Sequence, residues 1–184
     1  MDTKKRGETK QRRGATALRT LCLLLIAALL ASAGALLPRA QARAPLRVGD
    51  APPPIGVADL AGRPLRIPDN VRGKVVLLHF WASGCSSCRE EMPAMESLFT
   101  RYQKKGLAIL AVNVGQPSKA VRSFAAGLKV SYPILVDPDN KAAREYEVVG
   151  VPKTFILDRN GVIRYKIVGS AGMASLTKLV SSLL

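Results

Sequence analysis

Hydrophobic and polar positions change rhythm repeatedly between residues 55 and 184, and each change predicts an element. Residues 55–67 read as a short hairpin that turns near Ala61-Gly62-Arg63. The run Val75-Val76-Leu77-Leu78-His79-Phe80-Trp81 lies within a buried strand over 74–81. A helix follows over 86–105, bent at Pro93 and stopped by Gly106. Residues 107–114 are too continuously apolar for a strand with one wet face, so they are expected in the centre of a sheet. Over 117–128, Ala120, Val121, Phe124, Ala125 and Leu128 fall on one helical face. A short strand over 132–136 and a short helix over 138–146 come next. The segments 154–157 and 162–168 form a hairpin through Asp158-Arg159-Asn160-Gly161, and 176–184 closes with a helix. Strand–helix alternation with a terminal hairpin predicts an α/β fold, a mixed sheet flanked by helices on both faces.

The first 54 residues have a different pattern. Residues 1–20 carry Lys4, Lys5, Arg6, Lys10, Arg12, Arg13 and Arg19 against Asp2 and Glu8, and residues 21–37 are uncharged and mostly apolar. A basic segment before an apolar run predicts export of the domain beyond it. Two endings fit. The run approaches the length of a membrane anchor, and Ala40-Gln41-Ala42 has the small-x-small form that a signal peptidase accepts. The chain thus divides into a basic cytoplasmic segment (1–20), an anchor or signal core (21–37), a Pro-, Ala- and Arg-rich tether (38–54) and a folded domain (55–184). Its expected location is the periplasmic side of a bacterial cell envelope, anchored or released by cleavage near Ala42.

Charge and cysteine count narrow the function. Net charge is +15, and from Arg43 onward 20 basic and 11 acidic residues leave about +9. These basic residues are scattered and no aromatic cluster interleaves them, so nucleic-acid binding is not expected. Of three cysteines, Cys22 lies in the apolar run, which leaves the domain Cys85 and Cys88 alone. Two cysteines are too few for a disulfide-stapled scaffold. A zinc site needs about four ligands, and the chain has one histidine, His79. No metal and no cofactor are expected.

Cys85-Ser86-Ser87-Cys88 sits where the strand gives way to the helix. Cysteines three apart at a helix start bring two sulfurs within disulfide reach. The first thiol also meets unpaired N–H groups and the positive end of the helix dipole, which favour the reactive thiolate. This is a redox pair with Cys85 as nucleophile and Cys88 as resolving thiol. A structural disulfide is the plainer reading, but one closing so short a loop stabilises little.

The motifs together resemble one family. Gly73-Lys74-Val75-Val76-Leu77-Leu78-His79-Phe80-Trp81-Ala82-Ser83, the cysteine pair followed by Arg89-Glu90-Glu91-Met92-Pro93, and Gly150-Val151-Pro152-Lys153-Thr154-Phe155-Ile156-Leu157-Asp158 resemble the thioredoxin-like thiol–disulfide oxidoreductases of the bacterial cell envelope, the TlpA/ResA group. The likeness covers residues 45–184. The segment from about Gln116 to Asp139 matches the helix-and-strand insertion of that group. Gly84 departs from the tryptophan usual before the first cysteine, and Ser86-Ser87 departs from the common proline-containing pairs. His79 stands where thioredoxins place a buried acid.

The resemblance implies a thioredoxin-like sheet with an N-terminal hairpin and a central helix–strand insertion. It also implies a cis bond before Pro152, which would turn the Val151 backbone towards the cysteines to pair with an extended substrate. Trp81, Gly84 and Val151 are then expected to line the substrate surface, with Trp81 also packing beside the site. Glu91 would exchange a proton with Cys88, against the plainer reading of a solvated first-turn carboxylate. His79 is read either as a proton relay or as a hydrogen-bonded core residue. The implied activity is protein-disulfide reduction. Its substrates would be apocytochrome c cysteine pairs or disulfides of copper-site assembly proteins, with electrons from a membrane thiol carrier of the DsbD/CcdA type. A copper-delivery module using the same thiols is the alternative from another class, and would need a third ligand. A thiol peroxidase is a further alternative, lacking a Pro-x-x-x-Thr-x-x-Cys arrangement.

Overall fold

β4 (Leu107–Val114) runs through the middle of a seven-stranded sheet of order β2-β1-β5-β4-β3-β6-β7. The other strands are β1 (Ile55–Asp59), β2 (Pro64–Ile67), β3 (Val75–Trp81), β5 (Ile134–Asp137), β6 (Lys153–Leu157) and β7 (Ile163–Val168). The computed structural model describes residues 44–184, and residues 45–184 form one compact unit. The basic segment, the apolar run and the Ala42 cleavage point lie outside the described residues. Among the described residues no helix is long and apolar enough to cross a membrane.

β3 pairs in parallel with β4 and β4 with β5, while β6 runs antiparallel to β3 and β7 antiparallel to β6. Burial on both faces explains the unbroken apolar runs of β3 and β4. Leu77, Trp81, Ile109 and Ala111 face a layer built with α1 (Ser86–Tyr102), α2 (Ser118–Ala125) and α4 (Met173–Ser181). Leu78, Phe80, Leu110 and Val112 face the opposite layer, with α3 (Lys141–Glu145) and the N-terminal hairpin.

Several boundaries differ from expectation. α1 carries Pro93 inside it on its exposed side and ends at Tyr102, short of the expected 105. After α1 a 3₁₀ turn over Gln103–Lys105 leads to Gly106, whose φ of 100° reverses the chain. α4 begins at Met173, three residues early, because Leu176 and Val180 both reach the core from that phase. The end of the tether is also corrected. Residues 45–54 include Leu46, Pro52 and Pro53, all buried, and Leu46 joins the core cluster of Leu78 and Phe80. An apolar side chain with a pocket beside it does not stay extended in water.

Candidate active site

The β3–α1 junction builds the centre of the site. Cys85 is the N-cap of α1, with φ −89° and ψ 108°, and its Sγ accepts the Cys88 N–H at 3.2 Å. Cys85 and Cys88 are joined by a disulfide with Cα atoms 5.3 Å apart. Cys85 is half-buried, whereas Cys88 has no exposed surface. One sulfur is therefore reachable and the other lies beneath it. With the bond reduced, the helix N-terminus that now faces Cys85 favours its thiolate. The Ser87 hydroxyl lies 3.5 Å from Cys85 Sγ.

Pro152 enters from the loop before β6. The Val151–Pro152 bond is cis, Pro152 is buried and Val151 is half-buried. The Pro152 carbonyl accepts the Gly169 N–H at 2.9 Å, which ties this loop to the end of β7. Val151 packs against the same cluster as Cys85 and Cys88.

Glu91 is not a solvated carboxylate. It is 6% exposed, and Oε1 accepts the Ala171 N–H at 3.2 Å and the Ser170 hydroxyl at 3.4 Å. Its Oε2 is buried without a hydrogen-bond partner. Glu90, its neighbour, is the exposed one.

Trp81 corrects an expectation. Assigned to the substrate surface by resemblance, it is fully buried, with its ring 5.0 Å from that of Phe124. Its strand position turns the indole under α1 and α2, so it packs the layer and touches no partner. Gly84 is exposed, and a Cβ built on it would meet nothing within 4 Å. The surface before Cys85 is therefore open. Arg89 lies over the Phe124 ring, its guanidinium carbon 4.4 Å from the centroid.

His79 is fully buried, and its Nδ1 lies 2.9 Å from Thr154 Oγ1. Burial pushes its imidazole down to about 4. It faces the layer of Trp81 and Leu77, which is also the layer of Cys88. Among the described residues no three His, Cys, Asp or Glu side chains gather as a metal site.

One part of the site escaped the sequence reading. Gln116 holds the approach to Cys85 with both ends of its carboxamide. Oε1 accepts the Ser83 N–H at 2.8 Å, and Nε2 donates to the Ser83 hydroxyl at 2.6 Å. Asn113, buried at the end of β4, donates to the same Oε1 at 2.9 Å. The signal was present in Asn113, a lone amide in an apolar strand beside the site.

Comparison with known proteins agrees with this geometry. Residues 48–166 match the family model described as the AhpC/TSA family. The chain is 42% identical over 123 residues to the thiol-disulfide oxidoreductase ResA of Geobacillus thermodenitrificans, covering 67% of this chain and 70% of that protein. It is 41% identical over 128 residues to the thioredoxin-like protein YneN of Bacillus subtilis, covering 68% and 74%. Among solved structures it superposes on a Chlorobium tepidum protein described as a thiol:disulfide interchange protein of the DsbE kind. That match has a TM-score of 0.70 at 30% identity, with 75% of this chain and 98% of that one covered. The thioredoxin domain of a Bacteroides vulgatus thiol-disulfide oxidoreductase matches with a TM-score of 0.67 at 26% identity, covering 74% and 97%. With its Cys85–Cys88 pair at a helix start on a thioredoxin-like sheet, the chain belongs to the AhpC/TSA family and is a thiol–disulfide oxidoreductase of the ResA kind.

Proposed function

We propose that this oxidoreductase works outside the cytoplasm as a reductant of protein disulfides. The observation that carries the reading is the pairing of a reachable Cys85 with a fully buried Cys88 in one disulfide. In the reduced protein the Cys85 thiolate attacks a substrate disulfide. One substrate sulfur leaves as a thiolate and takes a proton, and a mixed disulfide remains. Cys88 then loses its proton and attacks Cys85 Sγ, releasing the second substrate thiol and closing the Cys85–Cys88 bond. Two electrons pass to the substrate, and a membrane thiol carrier of the DsbD/CcdA type restores the dithiol.

Pro152 and Val151 present backbone to an extended substrate segment beside Cys85, and Gly84 leaves room for its side chains. Glu91 exchanges the proton of Cys88, since a buried carboxylate with one free oxygen suits that task. The basic N-terminal segment and apolar run deliver the domain to the periplasmic side, by anchoring or by cleavage near Ala42. Exported cysteine pairs awaiting a metal or haem, such as apocytochrome c, fit the substrate class.

The test is to express a Cys88→Ser variant in the source cell and resolve its mixed disulfides. Trapped exported proteins with paired cysteines support the reading. A variant that accumulates no mixed disulfide, or a Cys85→Ser variant that still reduces disulfides, overturns it.

A further inference from the structure

Glu147 grips three parts of the chain at once. Its Oε1 accepts the Leu46 N–H at 2.9 Å, and its Oε2 lies 3.6 Å from Lys166 Nζ. Lys166 in turn donates to the Leu46 carbonyl at 3.0 Å. Both backbone polar groups of Leu46 are thus held by one ion pair, while its side chain is buried in the core. The carbonyl of Glu147 accepts Lys153 Nζ at 2.5 Å, and Lys153 follows Pro152 directly. Glu147 itself sits at φ 52°, in the left-handed region that a non-glycine residue rarely adopts.

These contacts bracket a short exposed loop. From Val148 to Pro152 the chain has neither helix nor strand, and Val149 at its crest is fully exposed. Downstream, the loop is fixed by Pro152 and by the buried ammonium of Lys153. Upstream, the left-handed turn at Glu147 closes the end of α3, with the Val148 N–H donating to the Ala143 carbonyl at 2.8 Å. The Glu147 carboxylate then ties this helix end, and the loop that leaves it, to Leu46 and Lys166. The segment 46–50 is secured at its other end as well, where Gly49 donates to the Ile163 carbonyl at 2.8 Å and Ile163 donates to the Asp50 carbonyl at 3.0 Å.

We propose that Glu147 and Lys166, clasped on Leu46, are positioning residues that hold the 148–151 loop ready to receive a protein substrate beside Cys85. This rests on the thiol–disulfide exchange proposed for Cys85 and Cys88, and deepens it. The segment leading into the domain is then part of the substrate-binding apparatus, acting through Glu147. A preorganised loop gives tighter binding because less ordering remains to be done when the partner arrives.

The experiment measures insulin reduction by the full chain and separates KM from kcat. Glu147→Ala and, independently, Lys166→Met are expected to raise KM about fivefold while kcat moves less than about twofold. Lys166→Arg keeps the cation and is expected to restore KM. An unchanged KM in both variants overturns the proposal, as does a fall in kcat with KM constant, which a general loss of folded protein would give. If Glu147→Ala does not melt cooperatively, Lys166→Met alone decides by the same criteria. Cys85→Ser in the same assay tests the underlying exchange reading separately, since its activity must vanish whatever the clasp does.

Discussion

His79 and Thr154 face each other directly across the β3–β6 pair, and the imidazole Nδ1 meets the threonine hydroxyl at 2.9 Å. The ring has no exposed surface, and burial pushes its titration down to about 4 from an ordinary 6.5. The unfolded chain therefore binds a proton between pH 6.5 and 4 that the folded chain refuses. Stability is full above 6.5 and is lost as pH falls through that window, by about 2–3 kcal/mol near pH 4.5. Urea unfolding at pH 7 and pH 4.5 measures this, and His79→Asn should flatten the difference. An equal loss in the variant would show that other groups carry it.

Asp158 organises the β6–β7 turn. Its Oδ1 accepts the N–H groups of Asn160 at 2.9 Å and Val162 at 3.0 Å, and its Oδ2 meets Arg164 Nε at 2.7 Å. Burial alone would raise its titration, but the Val162 and Asn160 N–H groups and the Arg164 guanidinium hold it below the usual carboxylate value. Asp158→Ala should cost about 2 kcal/mol at pH 7, because the turn loses three charge-assisted bonds. Asp158 holds its proton less tightly in the folded chain, so the loss from the variant should shrink as pH falls below 4. Thermal melts at pH 7 and pH 3 test both statements.

The elements legible in the sequence were those whose burial leaves a run or a period. β3 and β4 announced themselves as continuous apolar strands, and the cysteine pair stood at the one strand–helix junction that exposes a sulfur. What stayed hidden depended on long-range partners. The Leu46 clasp requires Glu147 and Lys166, about 100 and 120 residues away in sequence. The resemblance placed Trp81 on the substrate surface as well as beside the site, yet strand parity sends it under α2. Gln116 stood in the sequence only as the start of the insertion, and only the fold brings it to Ser83.

Gln116 should matter for speed as well as stability. Its carboxamide makes two bonds to Ser83 and receives one from Asn113. Gln116→Ala releases the residues just before Cys85 and leaves Asn113 unpaired in the core. A loss of about 1–2 kcal/mol is expected. Alkylation of reduced Cys85 by iodoacetamide should slow relative to wild type, because the helix N-terminus is no longer aimed at its sulfur. Ordinary alkylation in a destabilised variant would confine Gln116 to a structural part.

Glu91 places a carboxylate oxygen without a partner in the layer of the buried Cys88. Its other oxygen is fixed by Ala171 and Ser170, so the group cannot swing away when the disulfide opens. A negative charge held near a thiol opposes its ionisation. Glu91→Gln keeps the shape and removes the charge, so the midpoint for ionisation of Cys88 should move to lower pH. The measurement is the pH profile of thiol alkylation in the reduced Cys22→Ser/Cys85→Ser background, where Cys88 is the one remaining thiol. Gln keeps an acceptor for the Ala171 N–H, so the melting temperature should change little, and a shifted profile would then report charge and not packing. An unmoved profile would leave Glu91 as a buried tie between α1 and the loop before α4, and Cys88 would need another group to take its proton.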